Sequence, residues 1–192
     1  MFGGLDEMGT IDLDNMRADL TSVQIDRQIQ ALERTCELVN QLIKMAVDSL
    51  EDGPERFLIA ERLNRLGPTA VGPLEGVLIK TDNSEVRILA SLVLLQLGSK
   101  AGLHWLLQAV LEDRNYACLI VAHLASNGIY EAVDRIIARL RTSEATDIDL
   151  IVAYLAALET LKVEVPPELL QKFEQTSMPW QVRKVVEDLK SH

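Results

Sequence analysis

The chain has 192 residues, of which 48% are apolar and 25% charged, and it carries a net charge of −10. So apolar a composition excludes a disordered chain, and the acidic surplus argues against a nucleic-acid partner, because phosphate binding depends on Lys and Arg. Aromatic residues make up only 4%, so a core must be filled by Leu, Ile, Val and Ala, the usual filling of helix-on-helix packing.

The start, Met1-Phe2-Gly3-Gly4-Leu5-Asp6-Glu7, lacks the basic and apolar regions of a secretory signal. The most apolar stretch, Ile88 to Leu95, is well short of the ~18 residues that cross a bilayer. A cytoplasmic location with no membrane partner is the expectation. Residues 1–20, punctuated by Gly3, Gly4 and Gly9 and rich in Asp, read as a mobile acidic tail with a short helix at Asp12–Leu20. The charge is concentrated here: residues 1–55 hold twelve Asp or Glu against four Lys or Arg, a net of −8, leaving −2 for the rest.

Thr21 and Gln24 have the spacing of a capping box and predict the start of a long helix. Apolar residues then recur at Ile25, Ile29, Leu32, Cys36, Val39, Ile43, Ala46 and Leu50, in steps of four and three that define a heptad seam. Leu38, Leu42 and Val47 widen the stripe toward its C-terminus, as expected of a helix packed on the rest of the domain. The narrow N-terminal half reads either as a cap over the first repeat or as the seam of a homodimer. Residues 21–192 are expected to form one domain, with 21–50 the capping helix and 54–191 helical repeats.

From Asp52 the pattern changes to short helices. Asp52-Gly53-Pro54 breaks the chain, with Pro54 suited to a first helical position. Leu66-Gly67, Leu97-Gly98 and Asn127-Gly128 each end a helix, and their glycines are 31 and 30 residues apart, a period of a stacked repeat. A second helix follows each glycine: Ala70 to Leu78, Leu103 to Val110 and Val133 to Leu140. The fourth pair is divergent. Thr146 or Asp147 caps a helix through Leu161, Val163-Glu164-Val165-Pro166-Pro167 turns the chain without a glycine, and a last helix starts near Pro179-Trp180.

The run Glu85-Val86-Arg87 with Ala90, Leu94, Leu97 and Gly98, and the run Leu66-Gly67-Pro68-Thr69-Ala70-Val71 with Pro73-Leu74, resemble the HEAT-repeat family, in particular the short bacterial HEAT-like repeats also found in phycobilisome bilin lyases. Arg56 and Arg87 occupy the family's arginine position, whereas the third repeat has Tyr116-Ala117 there. The resemblance covers about residues 54–142 well and 143–191 loosely. It implies an all-α, right-handed α-α superhelix (solenoid) with a long N-terminal capping helix.

No catalytic or metal-binding constellation stands out, and no cofactor is expected. His104, His123 and His192 lack partners at metal-ligand spacing, and Cys36 and Cys118 read as two buried reduced thiols. Paired carboxylates such as Asp147 and Asp149 sit at helix starts, where they complement the helix dipole. The candidate binding residues are Trp105, His104, Arg135 and Arg139, because a Trp and two Arg on successive helices have the composition of an interface hot spot. The expected function is a non-catalytic adaptor or scaffold whose partner is another protein. Two alternatives accompany it: a bilin-lyase-type enzyme or chaperone, implied by the resemblance alone, and a small acidic immunity or inhibitor protein.

Overall fold

The computed structural model describes residues 13–52, 55–113, 115–175 and 177–190. Pro54, His192 and the tail before Leu13 lie outside them. Every regular element among the described residues is helical, and none of the helices is long and apolar enough to cross a membrane. The chain divides into two compact units, residues 1–46 and 47–192.

In the first unit, α1 (Leu13–Leu20) precedes α2 (Ile25–Asp52), which runs on past the unit boundary. The capping box does not form. Thr21 instead closes α1, its hydroxyl donating to the carbonyls of Arg17 and Ala18, and the hydroxyl of Ser22 accepts from the Gln24 amide at 3.1 Å. A Thr placed one residue after a helix finds the free carbonyls of that helix before the free amides of the next. The seam of α2 is exposed at Ile25, Ile29, Leu32 and Val39, and Cys36 is exposed with them; the expectation of two buried thiols therefore fails at Cys36, and Cys118 is only half-buried.

The second unit runs α3 (Arg56–Leu63), α4 (Val71–Lys80), α5 (Ser84–Gln96), α6 (Leu103–Glu112), α7 (Ala117–Ser126), α8 (Val133–Thr142), α9 (Ile148–Thr160), α10 (Pro167–Glu174) and α11 (Trp180–Lys190). Helices α3, α5, α7, α9 and α11 form a row in which each packs on the next, and α6 packs on α8. Helix α5 touches α3, α4, α6 and α7, which is why its run from Ile88 to Leu95 is buried on every side rather than along one stripe.

The helix ends follow from the expected glycines. Gly98 and Gly128 have φ of 84° and 66°, and Gly67 also has positive φ. At Gly98 the amide of Ser99 reaches back to Leu94, and at Gly128 that of Ile129 reaches Leu124, each satisfying a carbonyl that the helix leaves free. The fourth pair makes the same closure without glycine. Lys162 takes φ of 55°, and Val163 donates to Leu158.

Asp147 stands at the start of α9, but its carboxylate accepts from the amide of Glu144 rather than capping the helix. The side chain that does cap is Asn83, whose Oδ1 accepts from Glu85 and Val86 at the start of α5.

Candidate interaction surface

Trp105 is in the first turn of α6 and is half-buried. Its neighbour His104 is exposed, and the two rings lie 4.4 Å apart, tilted by 44°. The cation on the indole face is Arg87 of α5, with its guanidinium carbon 4.1 Å from the ring centre. Nη2 of Arg87 also donates to the carbonyl of Thr81 at 2.5 Å, tying the end of α4 to α5. Arg56 acts in the same way at the start of α3, donating from Nε to the carbonyl of Leu50 and from Nη2 to that of Glu51. Arg56 and Arg87 therefore both close the C-terminus of the preceding helix.

Later in the chain, other side chains take that task. The buried hydroxyl of Tyr154 donates to the Val110 carbonyl near the end of α6 at 2.5 Å. Nζ of Lys172 donates to the carbonyls of Leu140, Arg141 and Ser143 at the end of α8. Neither was legible as a substitute, because Tyr154 and Lys172 sit at different helix positions from Arg56 and Arg87.

Trp105 forms part of the wall of two concavities. One, of about 210 Å³, is lined by Arg87, Ile88, Gln108, Glu112 and Asp113 among others. The other, of about 400 Å³, is lined by Glu75, Leu78, Ile79, Ala101 and His104. Ile79 is 85% exposed at the second, an apolar side chain left in water beside an aromatic pair. Arg135 and Arg139 are on α8, both half-buried. Nε of Arg139 is buried and, like Nε of Arg87, has no hydrogen-bond partner among the described residues. The charge of Arg139 acts on Tyr154, whose hydroxyl is nevertheless raised above its ordinary range, chiefly by burial.

A second polar group joins the starts of α3, α5 and α7. Glu85 accepts from Arg56 at 2.8 Å and from the Tyr116 hydroxyl at 2.5 Å, and the partners are 29 and 31 residues away. These bonds, Tyr116's first and Arg56's second, hold the Glu85 carboxyl below its usual range, and Tyr116 is pushed up to about 12, mainly by the same bond. Arg56, Glu85 and Tyr116 thus link the starts of α3, α5 and α7 through side-chain hydrogen bonds.

Nucleophilic chemistry finds little support at the remaining candidates. Burial pushes the Cys118 thiol up, with the charge of Asp149 adding to it, whereas a reactive thiol needs the opposite shift. His123 is lowered by burial, and its ring lies against the Gln96 amide. No group of three or more His, Cys, Asp or Glu among the described residues is placed to hold a metal ion. The chain matches no protein-family model, and no curated protein shows significant similarity to it.

Proposed function

We propose that this chain is a non-catalytic protein-interaction module, an adaptor or scaffold of the cytoplasm, whose helices stack as a right-handed α-solenoid of HEAT-like repeats. The row of odd-numbered helices and the near-thirty-residue offsets of the Glu85 bonds support the stacking. The observation that carries the binding role is the surface of Ile79, His104 and Trp105, where an exposed aliphatic side chain and two rings border a concavity of about 400 Å³. Tryptophan and arginine dominate the energetics of protein interfaces, and an aromatic residue already fixed by a cation loses little entropy on docking. Arg135 and Arg139 are on α8, the helix packed on α6, and line neither of the two concavities beside Trp105.

Affinity capture from the native extract tests this. The wild-type chain should retain a protein partner that Trp105→Ala and Ile79→Glu both lose while keeping the wild-type helical circular dichroism. Equal retention by all three chains would remove this surface as the binding site.

A further inference from the structure

Helix α2 continues without a break for 28 residues, yet the N-terminal part of its seam is open to water. Ile25, Ile29, Leu32 and Val39 are 70, 48, 54 and 44% exposed, and Cys36 is exposed in line with them. By contrast Ile43, Val47 and Leu50, further along the helix, are buried. A regular heptad of apolar residues costs stability when left in water, and the partner that a heptad fits is another helix of the same repeat.

We propose that α2 pairs with α2 of a second copy of this chain, parallel and in register, through Ile25, Ile29, Leu32, Cys36 and Val39. The open seam offers roughly 500 Å² per copy, or on the order of 1,000 Å² for the pair, which reaches the size of a specific interface. Flanking residues decide the direction. In the parallel arrangement Gln28 faces Glu33 of the second copy and Thr35 faces Asn40, so no like charges meet. An antiparallel arrangement that sets Ile29 against Val39 and Cys36 against Leu32 brings Glu33 against Glu33 of the second copy. Repulsion at that point disfavours it. Parallel pairing also places Cys36 opposite its own copy.

The pairing is independent of the Trp105 surface, and a monomeric protein would leave that reading standing. Sedimentation equilibrium of the full chain at up to about 100 µM, above the Kd of a micromolar pair, should give a dimer. Leu32→Glu should return it to a monomer with unchanged circular dichroism. In a Cys118→Ala background, diamide, which takes up the two electrons and two protons released by two thiols, should yield a Cys36–Cys36 cross-linked dimer, and Leu32→Glu should abolish it. A wild-type monomer, or a dimer insensitive to Leu32→Glu, overturns the proposal. A dimer that fails to cross-link through Cys36 overturns the parallel register.

Discussion

The guanidinium of Arg87 lies 4.1 Å from the centre of the Trp105 ring while it donates to the carbonyl of Thr81, so one side chain joins the end of α4, the start of α5 and the half-buried ring on α6. Loss of a charged hydrogen bond and of a partly buried cation–π contact should make Arg87→Ala cost about 2–3 kcal/mol. Arg87→Lys should recover less than half of this, because an ammonium cannot both stack and reach the carbonyl. Urea unfolding of both variants checks this, and a cost for Arg87→Ala within error of zero contradicts it.

Gly102 meets Ser91 where α6 approaches α5. A Cβ at position 102 would lie 2.3 Å from Oγ, 2.5 Å from Cβ and 2.8 Å from Cα of Ser91, and Ser91 is buried. Gly102→Ala should therefore destabilise by about 1–3 kcal/mol. Ser91→Gly removes the two nearest atoms, so the double variant should be more stable than the sum of the single effects predicts. Additive single effects in a double-mutant cycle count against this close approach.

Lys162 is exposed and holds a left-handed conformation that costs a non-glycine residue about 1 kcal/mol. Lys162→Gly should raise stability by less than that, on the order of 0.5 kcal/mol, since relief of strain is partly offset by the added freedom of the unfolded chain. A fall in thermal midpoint would show that this turn is not the glycine-type closure seen at Gly98 and Gly128.

The Glu85 pair sets a pH dependence of two signs. Its depressed carboxyl contributes stability that is complete above the ordinary value of 4.5 and is lost as pH falls through the lowered folded value. The stability difference between wild type and Glu85→Gln should therefore narrow in acid. Tyr116 is raised from 10.0 to about 12, so the neutral phenol is favoured, and its contribution is present below pH 10 and lost as pH rises through the folded value. In a Tyr154→Phe background, phenolate absorbance should show one tyrosine titrating near 12 that returns toward 10 in Glu85→Gln. An unmoved titration would mean that the 2.5 Å bond is not what holds the phenol.

The parts legible in the sequence are those with a local cause. Gly67, Gly98 and Gly128 were legible as breaks because positive φ is cheap only for glycine; Gly98 and Gly128 directly follow the ends of α5 and α7, whereas Gly67 is the kink inside the 3-10 segment Asn64–Ala70 that joins α3 to α4. Lys162 performs the same role unseen, since nothing in a lysine announces positive φ and the neighbouring packing imposes it. Thr21 and Gln24 matched a capping pattern, but two helix ends competed for one hydroxyl. At the candidate surface, Trp105 and His104 were legible as binding candidates, whereas the cation on the ring was not. Arg87 reaches Trp105 across the α5–α6 contact, eighteen positions away in the chain, where no helical spacing connects them. The role of Arg56 and Arg87 at helix ends was also hidden, because it depends on carbonyls of a preceding helix.

The most direct test of the interaction surface is calorimetric titration of the captured partner against Trp105→Ala, with Trp180→Ala, at an exposed tryptophan, as control. Trp105→Ala should weaken binding at least about 30-fold, the effect of losing a hot-spot residue, while Trp180→Ala leaves the Kd unchanged. An unchanged Kd for Trp105→Ala, in a variant that retains its fold, would contradict the account.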